Sequence, residues 1–449
     1  MLFNDFKDKL FSDAKERGFA DCELFYTANK NFSVRIFKGE IAEYKNSNTL
    51  GVGFRGTYDN QMGYSYSEHL DESVINKLLD EAIANASVVE EPDVEKLYEG
   101  DKEYPEVNTF NPALDDVTAE EKINKAIELD KYVTNADPRI KMADYCTVAT
   151  SESESAIANS YGLNLSSKNN MAIAYIMARA EENDIVKSGM EFWKGRDFSE
   201  FDYKKVGDKA VKDAIDQLGA KSMPSGQYPV VLNNDTANQV FTTFLQIFYA
   251  ENAQKGFSLL SKDRIGEKLA ADIVTLRDDA ICEYSIEASS FDAEGVAAQN
   301  KAIIENGELK TLLYNTKSAA KDGVKSTGNA SKPGFGGMIG TSAHNFYLVP
   351  GKKSFDELIA NITEGVLITD LAGLHSGTNP VSGDFSVSAS GFLIKDGKVD
   401  RPVEQITLAG NFYEVLKNIE DIASDLRFFM GRSGMPSVLV KGLNIAGNE

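Results

Sequence analysis

Two dipeptides, Asn306-Gly307 in KAIIENGELKTLLYN and Asp396-Gly397 in SGFLIKDGKVDRPVEQITLAG, each lie between apolar runs. A two-residue hairpin turn of the favoured type needs positive φ at both central positions, and Asn-Gly and Asp-Gly accept this best. Such turns join only antiparallel neighbours, so the second half of the chain is committed to antiparallel sheet. Lys38-Gly39, flanked by Val34, Ile36, Ile41 and Tyr44, makes the same statement near the N-terminus. Alternation at Leu50, Val52 and Phe54 continues it, and Gly63-Tyr64 begins another short strand.

Between these strands the period changes. Phe3, Phe6, Leu10 and Ala14 line one stripe of an N-terminal helix, and residues 71–87 read as a helix opened by Asp71 and Glu72. Thr118 and Glu121 form a capping box at the head of a third helix. Three strand-like runs follow, 140–150, 153–160 and 171–180, then a helix ended by Gly219. The segment 88–117 is acidic and holds three of the 11 prolines, which marks a surface connection. Pro224, Gly226 and Pro229 mark a boundary, after which a short strand, VVL, precedes a helix; SVLVKGLNIAG closes the chain as a last strand. Strand meanders with segregated helices predict an α+β fold in two domains, 1–220 and 221–449.

Composition narrows function more than fold. The 449 residues carry a net charge of −22, which repels phosphate backbones and anionic lipid and argues against nucleic acid or membrane as partner. No apolar run reaches the roughly 18 residues of a membrane helix, and no signal-peptide core is present. Three scattered cysteines, Cys22, Cys146 and Cys282, do not read as a disulfide framework, so a reducing, cytoplasmic setting is expected.

TANQVFTTFLQIFYAENAQKG, residues 236–256, reads as one long helix with Val240, Phe241, Phe244, Leu245 and Phe248 on its apolar face. Its single carboxylate, Glu251, stands where that face ends, the place of a general base beside a metal or of an ordinary helix-end residue. A helical zinc site needs two histidines a turn apart and a third ligand. The chain has only His69, His344 and His375, and none lies between residues 70 and 343. No catalytic residue, metal site or cofactor is therefore expected.

The glycine-rich stretch 326–351 has no phosphate-loop spacing and reads as a mobile loop able to approach another surface closely. Lys317, Lys321, Lys325 and Lys332 form a local basic patch beside it. LAGLHSGTNPVSGDFSVSASGF, residues 371–392, is the densest polar segment of the second half; its strand alternates Phe385, Val387 and Ala389 and leaves room for another chain to lie against it. His375, Asn379 and Asp384 are the candidate substrate-binding residues there. His375, Asp384, Ser386 and Ser388 also have the composition of a metal-independent hydrolase site, the alternative reading; a homodimeric peptide-binding protein is a third.

Several stretches together resemble the TldD/TldE (PmbA, "modulator of DNA gyrase") family over nearly the whole chain. They are VRIFKGEIAEYKNSNTLGVGFRGTYDNQMGYSYSE, AENAQKGFSLLSKDRIGEKLAADIVTLRDD, FDAEGVAAQNKAIIENGELKTLLYNTKSAAKDGVKSTGNA and SGTNPVSGDFSVSASGFLIKDGKVDRPVEQITLAGN. The resemblance implies a two-domain α+β fold, mostly antiparallel, and a homo- or heterodimer of related subunits. It also implies that TldD-type subunits carry zinc on an H-E-x-x-x-H helix with a late cysteine. Here the corresponding helix has no histidine, and RFFMGRSGMPSVLV has no cysteine. The chain thus resembles a TldE/PmbA-type subunit, expected to work with a TldD-like zinc metallopeptidase on unfolded peptides and to be non-catalytic alone.

Overall fold

The computed structural model describes residues 1–88 and 96–448. The first half is built as α1 (Phe3–Glu16), β1 (Asp21–Phe37), β2 (Glu40–Tyr58), β3 (Gln61–Ser67) and α2 (Ile75–Ala86). It continues with α3 (Ala119–Thr134), β4 (Ile140–Asn159), β5 (Asn164–Glu182), β6 (Ile185–Gly195) and α4 (Tyr203–Asp216). The order is αβββα twice. One antiparallel six-stranded sheet, β3-β2-β1-β4-β5-β6, joins the two repeats through the β1–β4 ladder. Each repeat packs its helices over its own strands: Phe6, Leu10 and Leu79 with Leu24 and Phe54, and Leu129 and Val133 with Val34 and Ile176.

Turn chemistry sets the hairpins. Lys38 and Gly39 have φ of 54° and 79°, Asn306 and Gly307 49° and 80°, and Asp396 and Gly397 49° and 74°. Asp59-Asn60 and Asn183-Asp184 do the same without glycine, since Asn and Asp tolerate the left-handed region better than other side chains. Thr118 accepts from Glu121 N while Glu121 accepts from Thr118 N, so the capping box forms.

The two runs expected at 140–150 and 153–160 are a single strand, β4. Its middle, Ser151 to Ser155, is polar and half-buried apart from exposed Glu154, with Glu152 paired to Lys30 and Lys168. Residues 89–95 of the acidic connection lie outside the described residues. The rest is not merely a surface connection, because Leu97, Thr109 and Leu114 are buried. Tyr104 donates to Gly295 O at 2.8 Å, and Asp101 accepts from Ala297 N at 2.8 Å.

The second half comprises β7 (Gly226–Leu232), α5 (Asn234–Phe244), α6 (Ala250–Gln254), β8 (Leu276–Asp279), β9 (Asn300–Glu305), β10 (Glu308–Leu309), α7 (Thr316–Asp322), β11 (Ala330–Ser331), β12 (Gly340–Thr341) and β13 (Phe346–Leu348). It ends with α8 (Phe355–Ile359), β14 (Glu364–Ala372), β15 (Asp384–Lys395), β16 (Lys398–Asn411), α9 (Phe412–Lys417), β17 (Ile419–Ile422), β18 (Arg427–Phe428), β19 (Ser433–Met435) and β20 (Val438–Ala446). One sheet runs β10-β9-β8-β13-β19-β18. The other runs β16-β15-β14-β7-β20-β17 and closes on itself through β16–β20. Among the described residues the parallel strand ladders are β7–β14 and β13–β19, and the rest are antiparallel. The fold is α+β with mostly antiparallel sheets. Phe412 anchors the large core between the sheets, stacked on Phe244 at 4.7 Å and edge-on to Phe241 at 5.4 Å. Among the described residues no helix is long and apolar enough to cross a membrane.

The helix expected over 236–256 is broken. α5 ends at Phe244, a 3-10 turn covers Leu245–Phe248, and Tyr249 is extended at φ −80°, ψ 121° before α6 begins. The break has a tertiary cause: Tyr249 leaves the helix to bridge Leu313, and Ala250 N donates to Leu313 O at 3.0 Å.

Candidate functional site

The residues that a metal centre would draw on are dispersed. His69 is exposed after β3, His344 is buried before β13, and His375 is exposed between β14 and β15. The His344 ring meets Gly328 O through Nε2 at 2.7 Å, while its backbone N–H donates to Asp278 Oδ1 at 2.6 Å. Burial lowers its pKa. Burial opposes the charge of Asp278, yet Lys301 at 2.9 Å, His344 and Asn329 hold that carboxyl below its ordinary value. All three cysteines are buried thiols, and burial pushes Cys22 up to about 12. Glu251 sits on α6 and pairs with Lys255 at 2.7 Å, the reading of a helix-end residue. Among the described residues no group of three or more His, Cys, Asp or Glu side chains could hold one metal ion.

The polar segment after β14 folds back on itself. Gly377 N donates to Gly373 O at 2.8 Å and His375 lies at the tip of that turn. Asn379 Oδ1 accepts from Val381 N at 3.0 Å and Ser382 N at 3.2 Å, and its own N–H donates to Asp384 O at 2.8 Å. The Asp384 carboxylate accepts from Asn411 Nδ2 at 2.9 Å and Ser382 Oγ at 2.7 Å, and these bonds hold it below the usual carboxylate range. Among the described residues no hydrogen bond joins this carboxylate to His375. Ser386 and Ser388 face solvent from β15, and among the described residues no relay joins them to His375. Asn379 and Asp384 thus come together in one turn, with His375 at its far end. Ser382 and Asn411 also line a cavity of 500 Å³ that carries Arg264, Lys268 and Lys417 on its wall. β15 offers no free edge: β14 pairs with one side and β16 with the other, as the closed sheet requires.

The glycine-rich stretch approaches the chain's own N-terminal sheet. A Cβ on Gly51 would come 2.4 Å from the Phe335 ring, and one on Gly53 would come 2.1 Å from Phe335 O. Only glycines admit the 332–338 segment here. Lys332 leaves the expected basic patch to lie over the Phe25 ring at 4.9 Å, and burial lowers its pKa to about 8. The start of the stretch is fixed rather than mobile, because Asn329 Nδ2 donates to Asp278 and to Ser342 O.

Beside that contact lies an ion cluster that sequence reasoning missed. Arg55 on β2 binds Glu23 on β1 through two bonds, 2.7 and 3.1 Å, and approaches Glu294 of the second half at 3.9 Å. All three are buried. Burial alone would lower the Arg55 pKa, but Glu23 and then Glu294 keep it raised. Burial raises Glu294, which accepts from Thr316 N and Oγ1 at 2.8 and 2.5 Å. Burial and then the charge of Glu294 push Asp292 up to about 7. The signal was a charged residue inside an apolar run, CELF and VGFRG, on two strands that pair. At the other end of the same sheet, Glu191 takes Arg427, whose guanidinium lies 4.5 Å from the Phe192 ring.

Profiles of known families match in three consecutive pieces. Residues 22–86 match PmbA/TldA metallopeptidase domain 1, 112–218 the central domain and 225–447 the C-terminal domain. The chain belongs to the PmbA/TldD family. A metalloprotease PmbA homolog of Haemophilus influenzae is 27% identical over 440 residues, covering 96% of this chain and 92% of that protein. The crystal structure of a putative modulator of a DNA gyrase from Thermotoga maritima is 31% identical. It spans 99% of this chain and all of its own, with a TM-score of 0.91. TldE from Thermococcus kodakarensis, 24% identical over 98% of this chain and all of its own, shares the fold with a TM-score of 0.90. The PmbA/TldD family name implies a metal, but the donor set among the described residues does not fit one. One imidazole is committed to a buried carbonyl, the other two are separated across the chain, and the thiols are enclosed.

Proposed function

We propose that this chain is a TldE/PmbA-like subunit of a cytoplasmic peptidase, non-catalytic alone, that pairs with a zinc-bearing TldD-type subunit and helps enclose unfolded peptides. The observation that carries this reading is the commitment of His344 to Gly328 O, which leaves two exposed imidazoles on different halves of the chain. Hydrolysis by metal-bound water needs a shared metal and a base beside it, and Glu251 is paired with Lys255 instead.

Peptide contact is assigned to His375, Asn379 and Asp384, with the neighbouring 500 Å³ cavity. Because β15 offers no edge, a peptide meets this region through turn backbone and side chains rather than as an added strand. Asp384, held ionised, favours a basic or amino-terminal group.

Metal content and cleavage of an unfolded peptide, each measured with and without a TldD-like partner, test the reading. The isolated chain should carry no stoichiometric zinc and cleave nothing, whereas the pair should carry zinc and cleave the peptide. One tightly bound zinc per isolated chain would overturn it. Asp384→Ala in the pair should raise KM for peptide while leaving assembly intact.

A further inference from the structure

The helix-bearing face of the N-terminal sheet has a gap in its cover. Along β1, Leu24 packs under α1 and α2, while Phe32, Val34 and Ile36 pack under α3 and α4. Ala28 and Lys30 share that face by the two-residue period and belong to neither core. The register sets Asn46 and Asn48 of β2, and Thr150 and Glu152 of β4, beside Phe32 and Lys30. These residues floor a cavity of 440 Å³, walled by Leu114, Asp115 and Lys122 at the head of α3. The second half lies against the opposite face, where Phe25 packs with Phe291 and Arg55 joins Glu23 to Glu294.

Lys122 is the unexpected residue in this wall. It takes the first place in the buried stripe of α3, ahead of Ala126, Leu129 and Val133, and is only 9% exposed. Its Nζ donates to Thr150 Oγ1 at 3.1 Å and lies 5.0 Å from the centre of the Phe32 ring. Among the described residues no carboxylate is ion-paired with it. Glu121 is bound into the capping box at Thr118, and Asp115 is exposed on the rim. Burial lowers the Lys122 pKa. An ammonium has three N–H donors, and withdrawing it from water is costly unless they are met and the charge is paired. On the floor beside it, Lys30 and Lys168 share the single carboxylate of Glu152, at 3.3 and 3.1 Å. Positive charge is thus in local excess within a chain of net charge −22. We propose that this cavity binds a small carboxylate with a compact apolar body, its carboxylate on Lys122 and Lys30 and its body against Phe32 and Leu114. A carboxylate is favoured over phosphate because no arginine fork lines the cavity and part of its wall is apolar.

Isothermal titration of the full chain with acetate, isovalerate and benzoate, at fixed pH and ionic strength, tests the site. Isovalerate and benzoate should each bind one per chain and more tightly than acetate, and inorganic phosphate should not displace them. Lys122→Met keeps the aliphatic stem and removes the charge; it should weaken benzoate at least about tenfold, the loss of one charge-assisted bond. Lys30→Gln, at an exposed strand position, should weaken binding in the same direction without touching the core. Glu152→Gln should tighten binding, because it frees Lys30 and Lys168 from their shared carboxylate; a purely structural role for these lysines would not produce that gain. Circular dichroism and urea unfolding without ligand verify that the variants fold. No saturable binding of any of the three carboxylates at tens of millimolar overturns the proposal. So does benzoate binding that Lys122→Met and Lys30→Gln leave unchanged, displacement of benzoate by phosphate, or weaker binding in Glu152→Gln. None of these readouts uses metal, peptide or a second subunit, so the result stands apart from the peptidase reading.

Discussion

Arg55→Met is the most informative single substitution in the contact between the two halves. The arginine side chain is 4% exposed, and the carboxylates of Glu23 and Glu294 are 2% and 3% exposed. Methionine keeps much of the volume and removes the charge, leaving Glu23 buried with no direct cationic partner. Breaking a buried pair from one side costs about 3–5 kcal/mol, because the remaining charge stays desolvated. Glu294 loses less, since Thr316 still donates to both its oxygens. Replacing both members of the pair, Glu23→Leu with Arg55→Met, removes the stranded charge. Buried pairs replaced by apolar side chains are often close to neutral. The double variant should therefore be more stable than Arg55→Met alone, with a coupling of about 2 kcal/mol or more. Urea unfolding followed by the single tryptophan, Trp193 on β6, reads the N-terminal sheet, and limited proteolysis reads the docking of the halves. A loss under about 1 kcal/mol for Arg55→Met, or a double variant as weak as the sum of the singles, would refute the reasoning.

Three further outcomes follow from the packing. Gly53→Ala forces the 332–338 segment off β2, since its methyl would lie 2.1 Å from Phe335 O; a loss of about 1–3 kcal/mol and faster proteolysis near Phe335 are expected. Phe412→Ala removes the ring stacked on Phe244 and should cost about 3–5 kcal/mol in urea, with both faces of the second-half core loosened. Lys332 titrates near 8 when folded and near 10.5 when unfolded, so the unfolded chain holds more protons between those values and stability rises with pH across that window. Lys332→Met should flatten that rise when urea midpoints at pH 7 and pH 9.5 are compared.

The hairpins were legible because their chemistry is local. Asn306-Gly307, Asp396-Gly397 and Lys38-Gly39 all turn where the dipeptide says they must. Asp59-Asn60 and Asn183-Asp184 turn the same way but lack the glycine that draws notice. The split of β4 failed for a reason of place. Its central Ser and Glu residues sit where neither helix pair covers the sheet, so the apolar alternation lapses while the hydrogen-bond ladder continues. The single helix over 236–256 failed because apolar spacing carries on through Ile247 and Phe248, both buried, while the backbone of Tyr249 answers to Leu313, 64 residues away. Asn379 and Asp384 were found as a polar cluster, and the sequence does bring them into one turn. The closure of β15 within its sheet, and the meeting of Arg55 with Glu294, depend on segments far apart in the chain and leave no trace in either stretch.

The twofold αβββα arrangement has a consequence for how the first half assembles. Each repeat closes an apolar interior with its own helices, so each is a candidate autonomous folding unit, held to the other mainly by the ladder from Glu23 to Ile36 against Cys146 to Asn159. Two polypeptides divided between α2 and α3 should therefore find each other and restore the sheet, making this region a natural place for split-protein complementation.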